Sequence, residues 1–163
     1  MSLDVRDATH ADINTLIRLN EVVQSLHAAL YPDAFKRLAD PPAARAFFAE
    51  RMADPKSSIA IVETDRGAPV GYVWFEMQER SETPFTVPQP RIYVHHISVM
   101  PEARRRGVAT ILMRHIEQRA ISEGIDEIAL DTWTANIDAQ KFFSSQGYVP
   151  FNAIHRKKLV GVS

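Results

Sequence analysis

The chain has no cysteine among its 163 residues, which removes disulfides, thiolate metal ligands and thiol nucleophiles together. An excess of one charge is missing too. Lys and Arg number 19 against 20 Asp and Glu, for a formal charge of −1, so neither nucleic acid nor an anionic membrane is an expected partner and any basic function must be local. No run approaches the roughly 20 apolar residues that a spanning helix requires. The opening Met1-Ser2-Leu3-Asp4-Val5-Arg6-Asp7 lacks the basic start and apolar run of a secretory signal, and a cytoplasmic location is the expectation. There is no internal repeat or low-complexity tract. What is present is 45% hydrophobic content, enough for one core, so a single domain over residues 1–163 is expected.

Hydrophobic periodicity orders the elements. Thr9 is a candidate helix cap before Ile13, Leu16, Ile17, Leu19, Val22, Val23 and Leu26, which recur at helical spacing. A proline-bearing loop over 31–42 precedes a second helix over 43–52. β-Rich runs at 58–62 and 70–76, separated by the turn-like Asp65-Arg66-Gly67-Ala68-Pro69, predict an antiparallel hairpin. Residues 81–90 read as a connection, 92–99 as a strand and 107–119 as a helix ending near Gly124. A strand over 128–133, a helix over 138–145 and a last strand over 154–160 complete the chain. This order implies an α/β fold of the α+β kind, a mixed and mostly antiparallel sheet with helices on both faces.

The most informative stretch is Ile97-Ser98-Val99-Met100-Pro101-Glu102-Ala103-Arg104-Arg105-Arg106-Gly107-Val108-Ala109-Thr110, running from a strand through a basic turn into a helix. A helix start exposes N–H groups and partial positive charge, and Gly107 and Ala109 let a ligand approach the backbone closely. Three arginines at that end oppose the helix dipole unless an anion sits among them, and a pyrophosphate fits. The plain alternative is a solvated charge run. The dinucleotide fingerprint and the triphosphate P-loop are absent.

Arg104-Arg105-Arg106-Gly107-Val108-Ala109 resembles the Arg/Gln-x-x-Gly-x-Gly/Ala signature of the GNAT superfamily of N-acetyltransferases. A second stretch, Leu130 to Asn136 with Ala139, Phe142, Phe143, Gly147 and Tyr148, resembles that family's strand, Asn-x-x-Ala helix and Gly-aromatic ending. Val5 to Asp12 looks like its opening strand and first helix start. The resemblance implies that the fourth and fifth strands splay apart and that acetyl-CoA is the co-substrate. Its pantetheine arm would pair with backbone groups of Ile97, Ser98 and Val99. Backbone N–H groups from Arg105 to Thr110, beside Arg104, would hold the pyrophosphate, and Asn136 would hydrogen-bond the arm; Asn136 is equally a favoured helix cap.

Acyl transfer to an amine needs a base for the ammonium, an oxyanion partner and a proton for the departing thiolate. Strict alternation puts Tyr93, His95, Ile97 and Val99 on one face of their strand and Val94, His96 and Ser98 on the other. His95 is the expected base. Five residues before Met100, it resembles a water-linked histidine of the arylalkylamine branch, where the Tyr93 position can hold a second one, and imidazole titrates near neutral pH. The competing reading makes both histidines packed residues of a central strand. Adjacent histidines on opposite faces cannot easily share an ion, so no metal is expected. The family's usual acid is a tyrosine seven residues after the Asn, where this chain has Phe143. Water, Ser144 or Tyr148 would have to replace it. The resemblance makes the Val99 N–H the oxyanion donor.

The leading expectation is an N-acetyltransferase acting on a small-molecule or peptide amine. A CoA-binding module without turnover follows from Phe143, and a nucleic-acid-binding domain would need a wider basic face. Glu76, Glu79 and Glu82 offer an acidic approach for a cationic amine, against the plainer reading of solvated carboxylates. The acceptor itself is not legible, and a homodimer is the commonest assembly for such domains.

Overall fold

β-Branched and aromatic residues dominate the middle of the chain, and in the structure, a computed structural model describing residues 2–162, they build the sheet that carries the other elements. Strands β1 (Leu3–Asp7), β2 (Ser57–Thr64), β3 (Pro69–Gln78), β4 (Arg91–Val99) and β5 (Ile128–Leu130) lie side by side in chain order. The first four are mutually antiparallel and β5 runs parallel to β4. The helices are α1 (Ile13–Leu30), α2 (Pro41–Ala53), α3 (Val108–Ser122) and α4 (Ile137–Ser145). Two compact units divide after Asp131: the sheet and α1 to α3 belong to the first, α4 and the residues beyond it to the second. Among the described residues no helix is long and apolar enough to cross a membrane.

The period of two along the strands splits the core. Ile59, Ile61, Tyr72 and Trp74 pack with Leu16 and Leu19 of α1 and Phe48 of α2. Ala60, Val62, Val73 and Phe75 alternate to the opposite face, where α3 lies against the sheet and buries Val108, Leu112, Met113 and Ile116. Helices therefore cover both faces, as the pattern predicts.

Local chemistry sets the helix ends. The Thr9 N–H and hydroxyl both donate to Asp12 Oδ2, at 2.8 and 3.0 Å, opening a short 3-10 turn that leads into α1. Helix α2 begins at Pro41, two residues earlier than expected, because Asp40 caps it by accepting the Ala43 N–H at 3.1 Å. A proline at the first helical position has no N–H to satisfy, so prolines that read as loop here begin a helix.

Two strand expectations need correction. Strand β5 stops at Leu130 and not at Trp133: residues 131–133 carry neither helix nor strand, and a turn follows over 134–135, the Asn136 N–H donating to the Trp133 carbonyl at 2.8 Å. The strand expected over 154–160 does not form: residues 150–159 carry neither helix nor strand, and Ile154 and Val160 are 95% and 101% exposed. A strand has no hydrogen bonds of its own, so β-favouring composition is realised only beside a partner edge.

A partly buried polar chain ties α1 to the sheet. Asn20 Nδ2–H donates to Tyr72 Oη at 2.8 Å, and that hydroxyl lies 3.0 Å from His96 Nδ1. Burial pushes the Tyr72 phenol up, so it keeps its proton and donates it to the histidine. Burial, with His95, His27 and Arg51 nearby, pushes His96 down to about 4, so the ring stays neutral and accepts. Ser98, 4% exposed, donates its hydroxyl to the Leu19 carbonyl at 2.7 Å.

Because the folded state protonates His96 later than the unfolded chain, stability is whole above about pH 6.5 and is lost as pH falls through about 4, a difference of up to about 3 kcal/mol. Denaturant unfolding at stepped pH should show this slope, and His96→Asn, whose Oδ1 still accepts from Tyr72, should flatten it. A methyl group added at Gly71 would stand 2.8 Å from Val108 Cγ1 and 2.9 Å from the Ser98 carbonyl oxygen. Gly71→Ala should therefore lower stability by about 1–3 kcal/mol in the same experiment.

Candidate active site

The stretch between β4 and α3 folds as a cradle. After a 3-10 turn over Pro101–Ala103 the backbone takes the left-handed conformation at Arg105, φ 59°, and again at Gly107, φ 82°. Arg105 is the only non-glycine with positive φ among the described residues, and an arginine held there costs about 1 kcal/mol or more. Left-handed residues in such a turn swing successive N–H groups to one side and form an anion-binding concavity. A Cβ built on Gly107 would meet nothing within 4 Å, so the space before it is open. Val108, 1% exposed, anchors the start of the helix, while Ala109 and Thr110 are half-buried. Ile111 is the first N–H of α3 to be taken, by the Gly107 carbonyl at 2.9 Å; those of Val108, Ala109 and Thr110 precede any carbonyl one turn back. Arg104, Arg105 and Arg106 are exposed around this end.

The neighbouring strand supplies an open edge. Pairing between β4 and β5 runs only from Ile92–Ile128 to Val94–Leu130, so among the described residues no strand pairs with that side of β4 from His95 to Val99. The Met100 N–H donates to the Val70 carbonyl across β3 at 2.8 Å. Antiparallel geometry then turns the backbone groups of Ser98 towards β3 as well, and those of Ile97 and Val99 towards the open edge. Of the three residues expected on that edge, Ser98 is directed elsewhere by both backbone and side chain.

The histidines depart from the expected alternation. The register of β3 against β4 steps from Trp74–His96 to Phe75–Val94, leaving His95 as the extra residue of a β-bulge. The face shared by His95 with Ile97 and Val99, and opposed to His96, does not exist. Both imidazoles meet Trp74: His95 stacks on it at 4.1 Å and 15°, His96 meets it edge-on at 4.9 Å and 90°. Tyr93 lies against His95 with ring centres 4.9 Å apart. Phe47 of α2 stacks on His96 at 5.9 Å, and the Arg51 guanidinium covers Phe47 at 4.1 Å. The bulge also removes the geometric argument against a shared ion, although no group of three or more His, Cys, Asp or Glu that could hold a metal is found among the described residues.

Carboxylates border this cluster on two sides. Glu76 Oε1 lies 3.1 Å from His95 Nε2. Burial pushes the Glu76 carboxyl up, but Gln78, His95 and Arg51 outweigh it and the net direction is down. The Tyr93 hydroxyl donates to Asp131 Oδ2 at 2.6 Å, and burial together with that carboxylate pushes the phenol up to about 12. Of the three glutamates singled out as an acidic approach, only Glu76 joins the cluster; Glu79 is 81% exposed on its side chain and 3.9 Å from Lys56, and Glu82 is exposed. A hollow of about 410 Å³ lined by Asp7, Met52, Ser57, His115 and Arg119 lies elsewhere and includes none of the histidine cluster's ring residues.

In the second unit Asn136 caps α4, its Oδ1 accepting the Ala139 N–H at 3.2 Å. Phe143 is 6% exposed and packs against Phe142 and Tyr148, with ring centres 5.1 and 5.7 Å away. Its side chain is core, as the plainer reading held. Sequence reasoning missed Trp74, Tyr72, Asn20, Phe47 and Asp131. Trp74 and Glu76 share strand parity, which was readable; the register that sets them against the histidines was not.

The profile of the Acetyltransferase (GNAT) family matches residues 21–148. Human N-acetyltransferase 8 is 35% identical over 63 residues, a stretch covering 39% of this chain and 28% of that protein. The chain thus spans less than a third of the length of that relative. In three dimensions a mutant of the BH1408 protein from Bacillus halodurans superimposes with a TM-score of 0.91 at 21% identity, covering 96% of this chain and 99% of that one. AAC(6')-Iy, solved in complex with the bisubstrate analog CoA-S-monomethyl-acetylneamine, superimposes with a TM-score of 0.73 at 20% identity, covering 98% and 100%. A profile match over most of the length, on a mixed sheet that opens beside a left-handed basic turn, means that the chain belongs to the GNAT family of acetyltransferases.

Proposed function

We propose that this chain, as one acyltransferase domain over residues 1–163, transfers an acetyl group from acetyl-CoA to a primary amine of a small molecule or peptide by direct attack in a ternary complex. The observation that carries the reading is the pair of left-handed residues, Arg105 and Gly107, at the start of α3 beside an unpaired β4 edge. Strain held at a non-glycine residue needs a compensating use, and an open anion-binding concavity provides one. The room before Gly107 and the exposed guanidinium groups suit a pyrophosphate. Acetyl-CoA, when bound, supplies the activated acetyl thioester.

Each residue then has a task. Backbone N–H groups from Arg105 to Thr110 hold the pyrophosphate within the field of Arg104, Arg105 and Arg106. Ile97 and Val99 present backbone groups to the pantetheine arm, and the Val99 N–H serves as oxyanion donor. Asn136 has its amide nitrogen left for the arm, since Oδ1 is engaged by Ala139. His95, the first β4 residue beyond the last β5 pair, takes the ammonium proton through water. The buried Phe143 cannot donate, so water, Ser144 or Tyr148 returns a proton to the thiolate. Phe143 also motivates the second reading, a CoA-binding module with little turnover.

Calorimetric titration with acetyl-CoA separates these readings from all others. The native chain should bind saturably, Gly107→Trp should not, and Gly107→Ala, which bears the backbone strain without filling the space, should retain most of the affinity. Absence of binding by the native chain would sink both readings. In a thiol-release screen across amine classes, His95→Ala should lower kcat by about 10²–10⁴-fold with acetyl-CoA affinity unchanged. Native binding with no thiol release for any amine would favour the module.

A further inference from the structure

We infer that Glu76 is a positioning residue for His95: it holds the proton of the neutral ring on Nε2 and so leaves Nδ1 as the nitrogen that accepts a proton from the amine. The inference rests on the reading of His95 as the base. Its grounds are geometric. Nε2 is a buried atom with no hydrogen-bond partner in line with it, and the polar group facing it at 3.1 Å is a carboxylate oxygen of Glu76. A ring nitrogen turned to a carboxylate must present its hydrogen, because two lone pairs at that distance repel. The approach lies off the ring N–H axis, which makes it an electrostatic contact more than a directed hydrogen bond. Small motions of the ring are therefore enough to align it as the proton arrives.

Glu76 is itself oriented. Gln78 Nε2–H donates to Glu76 Oε1 at 2.8 Å, and Arg91 Nε–H donates to Gln78 Oε1 at 2.9 Å. An amide that accepts from arginine has its other end committed to the glutamate, so the series Arg91, Gln78, Glu76, His95 has one consistent set of donors and acceptors. The ring is clamped from its flat side as well. Trp74, stacked on His95 at 4.1 Å, is pinned by its Nε1–H to Ser57 Oγ at 2.8 Å. Other charged or titratable groups bordering the pair are Arg51 from α2 and Tyr93 and His96 from β4. Arg51 acts on Glu76 in the same sense as the imidazole, favouring the ionised carboxylate.

With the proton on Nε2, the step balances without any further reagent. The amine nitrogen gives a proton, by way of water, to Nδ1 of His95. The ring becomes an imidazolium whose charge faces Glu76, and the nitrogen lone pair so freed forms the bond to the acetyl carbon as the bond to sulfur breaks. As that bond breaks the nitrogen gives up its second proton, by way of water, to the departing thiolate, leaving the neutral amide, and the imidazolium passes the first proton to solvent, restoring the neutral ring.

The test reads the ring directly. Nitrogen-15 spectra of histidine-labelled protein near pH 8.5, where a free imidazole is neutral, report the tautomer of each ring, with His95 assigned by its loss in His95→Gln. Native His95 should show the Nε2–H form. Glu76→Gln can accept or donate at that place, so the His95 signals should shift towards a tautomer mixture and kcat should fall about 10–100-fold, with KM for the amine and affinity for acetyl-CoA nearly unchanged. Glu76→Asp, which keeps the charge one methylene further back, should recover part of both. An unchanged His95 tautomer in Glu76→Gln would overturn the inference. A released tautomer with native kcat would overturn its catalytic part, and would place the fault in the assignment of His95 as base and not in the Glu76 contact. The tautomer measurement stands whether or not acetyl-CoA binds, which keeps the two failures apart.

Discussion

One extra residue in β4 governs the candidate site. Where β3 and β4 step from Trp74–His96 to Phe75–Val94, the strand must accommodate His95 without a partner, and a bulge both twists the strand and re-aims the side chains beside it. Two consequences meet at this point. The imidazoles of His95 and His96 both come to Trp74, and the pairing of β4 with β5 ends at Val94. Beyond it the backbone of Ile97 and Val99 has no strand partner on that side among the described residues. A regular strand would have buried one histidine against α3 and kept the other among the aromatic rings.

The two adjacent histidines are differentiated by what surrounds them. His96 sits between Tyr72, Phe47 and Trp74, accepts the Tyr72 hydroxyl and is kept neutral by burial. It packs beside the core, linking β4 to α1 through Tyr72 and Asn20. His95 is a quarter exposed on its side chain and has a carboxylate partner. A ring that can reach water and has a counter-charge suits proton transfer, whereas a buried ring with a committed acceptor suits structure. Two residues of one type on one strand thus come to lie in different environments.

The basic turn solves a different problem. Arginines at a helix start are unfavourable towards its dipole, and the chain adds a left-handed arginine to that cost. Both features are stable in one place because the surrounding structure fixes them: Ala103 and Val108 on either side are only 2% and 1% exposed, and Gly71 gives Val108 room to approach β3 and β4. The rigid part of the turn is apolar and internal, and the open part is polar and presented outward, a division that binding loops commonly share.

Legibility followed the range of the forces involved. The order of the helices, the mixed sheet, the basic turn leading into a helix and the family itself were readable, because period, caps and Gly107 act over a few residues. Prolines at 41 and 42 misled only until Asp40 is seen to cap the helix they begin. The final strand was not readable: its β-favouring residues are real, but a strand exists only against an edge, and edges belong to the whole fold. The same holds for the site. The sequence by itself determined that His95 and Glu76 would lie on strands and that Arg104 to Gly107 would open a helix. Only the tertiary structure decided that a bulge sets His95 against Glu76 and Trp74, since strand register is a relation between segments that neither segment encodes alone.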